Sequence, residues 1–357
     1  MTVDVSVVVV AYNAPEWTAR CLDALAGEGR PAASHEVVVV DNASDEPTRR
    51  LLTERAAADP SLRVHLSPQN LGFAAACNLA ARLAQGRHVL LLNPDAVALP
   101  GAVDALLAFL AEDPARGIVG GRVLYPDGSV SLTSCFAQPT LWSWFCYASG
   151  LSTAFKRSPL FDPESLGRWD RDSVRDVGVV SGAFLLASRE TWEALGGFDE
   201  AFFMYCEDAD LSARALARGL HPAVTPEAVV VHAGGKSASS RTGKLRMLNR
   251  GKAEFARKHW SPARASAGIA LLAAGAGLRT AGERALALAG RGGEPVWAPL
   301  WRERREWAAG WPADVVAAFR GPAPAAAPAP AAGTAGTAGP APAPGAVDLR
   351  EPRPVTG

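Results

Sequence analysis

The sequence lacks several features that would assign it to other protein classes. Its 36 basic residues balance 36 acidic ones. A formal net charge of zero argues against nonspecific nucleic-acid binding by the whole chain, so we expect no nucleic-acid partner. No apolar run reaches the ~18 residues that favour a membrane span, since the best candidate, residues 267–278, is short and rich in Ala and Gly. The N-terminus has neither the basic start nor the small-residue cleavage site of a signal peptide.

Two further absences concern cysteine and phosphate binding. The five cysteines are scattered, odd in number and without metal-site spacing: Cys21, Cys77, Cys135, Cys146 and Cys206. This usage predicts reduced thiols in a cytoplasmic setting. A nucleotidyltransferase would need a glycine-rich, basic phosphate loop near the first strand, and the segment AYNAPEW at residues 11–17 does not provide one.

The first hundred residues contain apolar strands that alternate with helices. The predicted strands lie at residues 3–10, 36–40, 62–66 and 88–92, and the predicted helices at 15–27, 47–58 and 74–84. This alternation predicts an α/β fold, a mostly parallel sheet flanked by helices. Ligands of such sheets sit beyond the carboxyl ends of the strands. Asn13, Asp41 and Asp95 fall there.

The pattern is less regular after residue 120. A partly ordered insert over the site is predicted at residues 135–172, followed by a strand at 177–187 that contains Ser181 and Gly182. A helix at 209–218 and a last strand at 228–231, before His232, complete this region. From about residue 261 the composition changes, which predicts a domain at 1–262, a helical extension at 263–320 and a Pro/Ala-rich tail at 321–357. The tail cannot bury enough apolar surface to fold and is expected to be disordered.

The helical extension leaves two interpretations open. Residues 264–290 are expected to form a helix pair or one broken helix. Trp297, Trp301, Trp307 and Trp311 follow among Arg and Glu, with much of the tryptophan on one helical face. Such a face suits a membrane interface, or it packs on the rest of the protein.

The segment GGFDEAFFMYCEDADLSAR at residues 196–214 is the strongest candidate for chemistry. Glu207, Asp208 and Asp210 stand beside the apolar aromatic run at 202–205. Acids beside buried apolar surface cost free energy unless they are paired, solvated or used. Such a cluster favours proton transfer or ion binding. The alternative is a helix N-terminus that collects acids for its dipole.

Polar residues at the other strand ends are weaker candidates individually. Asp41 can accept hydrogen bonds from a base or ribose, or it caps the next helix. Asp95 is a hard oxygen ligand of the kind that Mg²⁺ or Mn²⁺ needs beside a diphosphate, or part of a simple turn. His232 could complete such a metal site, or it is structural. Backbone donors in the turn NLGFAAACN, residues 70–78, could face an anion.

Taken together, six segments resemble the family 2 inverting glycosyltransferases, and most of all the bacterial rhamnosyltransferases that use dTDP-rhamnose. The segments are VSVVVVAYN, VVVVDNAS, NLGFAAACN, LLLNPDA, VSGAFLLASRETWEALGGFDEAFFMYCEDADLSAR and VVHAGGKS. The resemblance covers roughly residues 3–260. It implies the GT-A fold, a nucleotide-sugar donor, a divalent cation (Mg²⁺ or Mn²⁺), and a glycan or polyprenyl-linked acceptor of the cell envelope.

The resemblance also implies residue roles. The donor pocket would be lined by Asn13, Asp41, Asn70, Gly72, Asn78 and Gly182, with Asn13 and Asp41 on the nucleoside and Gly182 beside the sugar. Asp95 and His232 would hold the metal, and Asn93 replaces the first acid of the family's Asp-x-Asp. Asp208 would be the catalytic base. Glu207 is its rival, or it orients Asp208 or binds the acceptor.

The implied reaction is one displacement that inverts the anomeric centre. A carboxylate takes the proton of the attacking hydroxyl, and the cation stabilises the leaving diphosphate. dTDP-L-rhamnose is the expected donor. One alternative keeps the fold with a UDP-sugar, such as UDP-galactofuranose or UDP-GlcNAc, and another is a non-catalytic sugar-nucleotide or glycan-binding module. The expected location is cytoplasmic, with peripheral contact at the inner membrane face through residues 264–320 as one interpretation.

Overall fold

The computed structural model describes residues 3–233, 240–291 and 293–320. Within these ranges the strands are β1 Val5–Ala11, β2 His35–Asp41, β3 Leu62–Leu66, β4 His88–Leu92, β5 Ala96–Ala98, β6 Ile118–Leu124, β7 Cys135–Phe136, β8 Arg175–Asp176, β9 Val179–Val180, β10 Phe184–Ser188 and β11 Ala223–His232. The α-helices are α1 Pro15–Ala26, α2 Glu46–Ala58, α3 Phe73–Leu83, α4 Ala102–Glu112, α5 Leu141–Ser149, α6 Leu151–Ala154, α7 Arg189–Leu195, α8 Glu207–Ala217, α9 Arg241–His259, α10 Pro262–Leu288, α11 Trp297–Arg302, α12 Arg304–Ala308 and α13 Ala313–Arg320.

One large sheet carries most of the described strands, in the order β3-β2-β1-β4-β10-β6-β11-β5, with β8 paired to β11. β1 pairs in parallel with β2 and β4, and β2 with β3. β10 runs antiparallel between β4 and β6. It starts with Phe184 opposite Leu92 at the end of β4, so the chain enters β10 from the carboxyl edge of the parallel strands. The predicted α/β architecture is confirmed, and β10 makes the sheet mixed.

Side chains of β1 alternate between two apolar cores, as the two-residue period of a strand requires. Val7 and Val9 pack with Leu22 of α1 on one face of the sheet. Val8 and Val10 pack with the alanines of α3 on the other face. Because both faces are covered, the strand is apolar throughout, which is typical of buried parallel strands.

The prediction of one continuous strand at residues 177–187 is wrong, because two separate strands, β9 and β10, lie there. β9 pairs with β7 in a separate two-stranded sheet, while β10 belongs to the large sheet. A turn separates the two strands, in which the Phe184 N–H donates to the Ser181 carbonyl at 3.3 Å. Both strands are buried, so the sequence reads as one continuous apolar run. Helix α8, predicted at residues 209–218, begins at Glu207, two residues before its predicted start.

The extension begins with one continuous helix of 27 residues. The expected helix pair or broken helix is therefore wrong. The Ser261 hydroxyl caps the helix by accepting a hydrogen bond from the Arg264 N–H. Glycines interrupt the Ala/Leu pattern where α5 comes close: a side chain at Gly268 or Gly275 would meet the Trp144 ring or the backbone of Ala148 at less than 3 Å.

Two tryptophans of the extension pack inward. Trp307 is completely buried, and its indole N–H donates to a backbone carbonyl of α11 at 2.8 Å. Trp311 is buried against the ring of Phe203, with 5.4 Å between the centroids. A lipid-facing role for these two side chains is therefore wrong, because their faces are already covered by protein. None of the helices in the described ranges has the length and apolarity that a membrane crossing needs. The predicted tail at 321–357 lies outside the described residues.

Candidate functional site

The carboxyl edge of the sheet gathers the polar strand ends that the sequence singled out. Asn13 follows β1, Asp41 ends β2, Asp95 follows β4 and His232 ends β11. β1, β2 and β4 are parallel neighbours, so the residues that follow them share one edge, where α/β sheets bind their ligands.

The ends of β1 and β2 are held together by side chains. Asn13 adopts a left-handed backbone with φ of 49°, which Asn tolerates better than most residues. Its Oδ1 accepts from the Asp45 N–H at 2.8 Å, and its own N–H donates to Ser44 Oγ at 3.1 Å. Asp41 accepts from the Ser44 N–H at 3.3 Å and lies 3.9 Å from Arg49 Nε. Burial raises the pKa of Asp41, and these partners oppose that shift. Asp41 thus stabilises a turn, and its contact with a nucleoside stays a prediction.

Asn42 is a residue for which the sequence suggested no role. Its Nδ2 donates to Asn70 Oδ1 at 2.9 Å and to the Gly72 carbonyl at 3.2 Å. Its Oδ1 accepts from the Leu71 N–H at 2.7 Å. This buried amide ties the end of β2 to the loop before α3 and so positions Asn70 and Gly72. Its place directly after Asp41 at a strand end was the available clue.

Gly72 connects that loop to the acidic segment. Its φ is +82°, and the N–H of the next residue, Phe73, donates to the Phe203 carbonyl at 2.8 Å. A Cβ at Gly72 would lie 2.5 Å from the same carbonyl oxygen. Glycine is therefore required here by both the backbone conformation and the close approach of a second segment.

We predict that Gly72→Ala lowers the free energy of unfolding by more than about 2 kcal/mol, because the strain of a positive φ adds to a clash with backbone. Gly101→Ala is the matched control. Gly101 also has a positive φ, +76°, but an added Cβ would meet no atom of the described residues within 4 Å. It should cost only about 1 kcal/mol. Urea denaturation measures both, and equal losses would contradict the proposed contact with Phe203.

Asn78 is not brought into this group. Its Nδ2 donates to the Phe198 carbonyl at 2.8 Å and to Glu200 Oε1 at 3.1 Å, and its Oδ1 accepts from the Phe198 N–H at 2.9 Å. It lines a separate cavity of about 700 Å³, and no other candidate site residue is among the described residues that line it. The amide holds the first residues of the acidic segment, and its role on the donor stays a prediction.

Asp95 and His232, 137 positions apart, lie side by side. Their Oδ1 and Nε2 atoms are 2.9 Å apart, and both residues are mostly buried. The reason is sheet register: β5 runs antiparallel to β11, with His232 opposite Ala96. Asn93 Nδ2 lies 3.4 Å from the same imidazole nitrogen.

This pair fits a divalent cation only in part. A carboxylate oxygen and an imidazole nitrogen are both ordinary ligands of Mn²⁺, and carboxylate oxygen suits Mg²⁺. In the part of the chain that the structure describes, no group of three or more His, Cys, Asp or Glu side chains could hold a metal. The arrangement therefore fits an ion that completes its shell with phosphate oxygens of a substrate.

The two acids at the start of α8 have different environments. Asp208 Oδ2 accepts from the Gly182 N–H at 3.1 Å, and Oδ1 accepts from the Ala209 N–H at 2.8 Å. Burial raises the pKa of Asp208, and these N–H groups oppose the rise. Glu207 is buried, and its Oε2 has no hydrogen-bond partner among the described residues. Burial and the Asp208 charge raise the pKa of Glu207 well above its usual range. Adjacent carboxylates resist double ionisation, so Asp208 is the ionised member.

The backbone before this pair is strained. Tyr205 and Cys206 have φ of 69° and 71°, two consecutive left-handed residues without glycine. Each costs about 1–3 kcal/mol and persists only where the surroundings impose it. Gly251 of α9 contributes, since a Cβ there would lie 2.2 Å from the Tyr205 carbonyl oxygen. Burial, then the charges of Glu207 and Asp95, raise the pKa of Tyr205 to about 12. Its phenol therefore keeps its proton at neutral pH.

Asp210, the third acid of the cluster with Glu207 and Asp208, is structural. Asp210 is buried and accepts hydrogen bonds at 2.7 to 2.8 Å from His259 Nε2 and Arg214 Nε, with Lys258 Nζ at 2.7 Å. Burial alone would raise its pKa, but these partners lower the pKa of Asp210 to about 2. It anchors α8 to α9, and Glu207 and Asp208 remain the candidates for proton transfer.

A buried acid pair and a carboxylate–imidazole pair at the carboxyl edge of an α/β sheet form a candidate active site, and comparison with known proteins identifies the class of the protein. The family model for glycosyl transferase family 2 matches residues 6–151. The N-acetylglucosaminyl-diphospho-decaprenol L-rhamnosyltransferase of Mycobacterium tuberculosis (strain CDC 1551 / Oshkosh) is 32% identical over 244 residues, which are 65% of this chain and 76% of that relative. The O-antigen biosynthesis protein RfbC of Myxococcus xanthus is 30% identical over 241 residues, 67% of this chain and 18% of that protein.

A solved structure shares the fold. The mannosyltransferase PcManGT from Pyrobaculum calidifontis, determined with GDP-Man and Mn²⁺, has a TM-score of 0.51 at 22% identity, over 87% of this chain and 84% of that one. The fold is GT-A, as the resemblance implied. The chain belongs to glycosyl transferase family 2 and is a glycosyltransferase.

Proposed function

We propose that the enzyme transfers L-rhamnose from dTDP-L-rhamnose to a hydroxyl of a lipid-linked cell-envelope glycan, with inversion at the anomeric carbon. The observation that carries the reaction type is the buried pair of Glu207 and Asp208, in which the N–H groups of Gly182 and Ala209 orient Asp208, while Glu207 Oε2 has no hydrogen-bond partner among the described residues. The donor and acceptor are suggested by the mycobacterial relative, whose name specifies L-rhamnose and a decaprenol-linked N-acetylglucosaminyl diphosphate.

On the donor side, the ends of β1 and β2 bind the nucleoside through Asn13 and Asp41. Asn70 and Gly72 extend this wall, in the position that Asn42 fixes. Gly182 lies beside the sugar. Its lack of a side chain keeps space open next to Asp208, because a Cβ at Gly182 would sit 3.8 Å from the Asp208 Cβ.

Asp95 and His232 would hold Mg²⁺ or Mn²⁺ together with the diphosphate of the donor. When bound, such a cation stabilises the negative charge that develops on the leaving diphosphate. The contact between the two side chains, 2.9 Å, keeps both ligands in place before the substrate arrives.

On the acceptor side, ionised Asp208 removes the proton of the attacking hydroxyl. A sugar hydroxyl is a poor nucleophile at neutral pH, so proton removal in the transition state accelerates the attack. The new C–O bond forms as the bond to the diphosphate breaks on the opposite side, which inverts the centre. Glu207 keeps its proton and orients Asp208 or the acceptor.

Two alternatives remain distinct from this proposal. A UDP-sugar, such as UDP-galactofuranose or UDP-GlcNAc, would use the same catalytic groups. A non-catalytic glycan-binding module would not, and it has no use for the strained backbone of Tyr205 and Cys206 directly before two adjacent buried acids.

We predict that kcat/KM with dTDP-L-rhamnose exceeds that with UDP-galactofuranose, UDP-GlcNAc or GDP-mannose by about 10²-fold or more. The reason is that the donor pocket must fit both the nucleobase and the sugar of the same donor. The assay uses a soluble N-acetylglucosaminyl diphosphate with a short prenyl chain, and NMR of the product reports the anomeric configuration. Faster turnover of a UDP-sugar would make that sugar nucleotide the donor in place of dTDP-L-rhamnose. Nucleotide binding without any turnover would favour the binding module.

A further inference from the structure

An exposed aromatic surface lies on the insert between β7 and β9. Its large side chains, each between 42% and 58% exposed, are Trp142, Phe145, Phe155 and Leu160. The rings form one contiguous cluster. The ring centroid of Trp142 lies 5.5 Å from that of Phe145. The ring of Phe161 connects Trp142 to Phe155, with its centroid 6.5 Å from that of Trp142 and 5.0 Å from that of Phe155. Contiguous exposed apolar patches on soluble proteins mark interaction sites.

This aromatic surface continues onto α10. An apolar groove of about 560 Å³ runs between α5 and α10, with Trp142 and Phe145 on one side and Ala267, Leu271 and Ala274 on the other. The spacing of these α10 residues places them on a single helix face. We refer to the aromatic surface and this face of α10 together as the apolar surface.

Charged side chains are kept off the apolar surface. α5 carries no charged residue. Between Arg264 and Arg284, α10 has two charged residues, Arg279 and Glu283, and both face inward. Arg279 donates to a backbone carbonyl of α5 at 3.1 Å, and Glu283 accepts from backbone N–H groups at the start of α11 at 2.8 to 3.1 Å.

The rim of the apolar surface is basic. Lys156 is exposed directly after Phe155. Arg264 is exposed and lies seven residues before Leu271, on the same face of α10. Its guanidinium carbon stacks 4.4 Å from the ring centroid of Trp260.

Two acids of the insert near these aromatic residues in sequence are engaged by donors of the protein itself. Asp162 accepts a backbone N–H of its own loop at 2.8 Å, and Glu164 accepts from Ser143 Oγ at 2.6 Å. An aromatic surface with cations at its edge is the composition of segments that lie in the interface of an anionic bilayer.

The same insert reaches the catalytic acids. It leads into β9 and then to the turn at Ser181 and Gly182, where the Ser181 N–H donates to the Ser134 carbonyl at 3.0 Å. The Gly182 N–H bonds to Asp208. The aromatic surface and one wall of the active site therefore lie on one continuous segment of chain.

We propose that the apolar surface docks the enzyme on an anionic phospholipid bilayer, so that a lipid-linked acceptor meets Asp208 from the membrane side. The choice of a bilayer rests on the proposed function, whose acceptor is held in lipid. A second copy of the chain fits less well, because a symmetric contact would bring the basic rim against itself.

Co-sedimentation of the full chain with vesicles tests this without donor or acceptor. We expect binding to vesicles of phosphatidylcholine mixed with phosphatidylglycerol. Phe155→Ser with Leu160→Ser should lower the partition coefficient about tenfold or more, and Lys156→Glu should lower it only on the anionic vesicles. The matched control is Val174→Ser with Leu216→Ser, which removes apolar side chains that are 54% and 39% exposed elsewhere. It should bind like the wild type.

Thermal melts and transfer to the soluble acceptor should be unchanged in all variants, which separates docking from folding and catalysis. If the proposed donor were wrong, the vesicle result would still stand, because the binding assay contains neither donor nor acceptor. The proposal is overturned if the wild type does not bind vesicles, if both double variants lose binding equally, or if deleting residues 321–357 alone abolishes it. It is also overturned if the wild type is a dimer that Phe155→Ser with Leu160→Ser makes monomeric.

Discussion

Replacing Asp208 with asparagine should reduce turnover by about 10²-fold or more while nearly preserving donor binding. Asparagine keeps the shape of the side chain and can still accept the Gly182 N–H bond that now ends on Asp208 Oδ2. It cannot take a proton. The loss should therefore appear in kcat, measured at saturating donor and acceptor, while calorimetric titration with the donor should give a nearly unchanged Kd.

Glu207→Gln is the matched control. Glutamine is isosteric with a protonated glutamic acid, and burial holds Glu207 in that form. Its kcat should therefore fall far less than that of Asp208→Asn. The opposite outcome, a nearly active Asp208→Asn beside an inactive Glu207→Gln, would reassign the base to Glu207.

The pH profile gives a second test of the same assignment. Because burial raises the pKa of Asp208, the base becomes protonated as the pH falls through that raised value. The wild-type rate should therefore decline on the acid side from a pH above the ordinary carboxyl range. The residual rate of Asp208→Asn should not show that decline. An identical acid limb in both proteins would assign the titration to another group.

The elements that the sequence predicted well are those with sharp boundaries. β3 and β4 have the predicted bounds, because polar or turn residues flank a short alternating segment, LRVHL, in β3 and a short apolar run in β4. β6 was missed because Gly120 and Gly121 weaken its strand pattern. Their reason is packing: a Cβ at Gly121 would lie 2.2 Å from the Ala228 carbonyl oxygen, and one at Gly120 would lie 2.5 Å from Val180. A close approach between distant segments leaves no mark in local periodicity.

The candidate site shows the same division. Motif order pointed to Asp95 and His232, and only the register of β5 on β11 explains why they touch. The left-handed backbone of Tyr205 and Cys206 could not be predicted, since neither residue type favours it. Nor could the sequence predict that the Asn78 amide donates a hydrogen bond to the Phe198 carbonyl, because that bond joins residues 120 positions apart.

Activity should require Mg²⁺ or Mn²⁺, and Asp95→Ala should abolish the metal-dependent part of sugar-nucleotide binding. Asp95 supplies the carboxylate of a two-residue ligand set, and His232 alone cannot replace its negative charge. Calorimetric titration of donor with and without Mn²⁺ measures this, and His232→Ala should weaken the same metal-dependent difference to a lesser degree. Asp113→Ala is the control, because Asp113 lies 3.3 Å from His221 in a comparable pair away from the carboxyl edge, and it should keep the full metal effect. Undiminished turnover in excess chelator would reject the metal site, and retained metal dependence in Asp95→Ala would move it to other ligands.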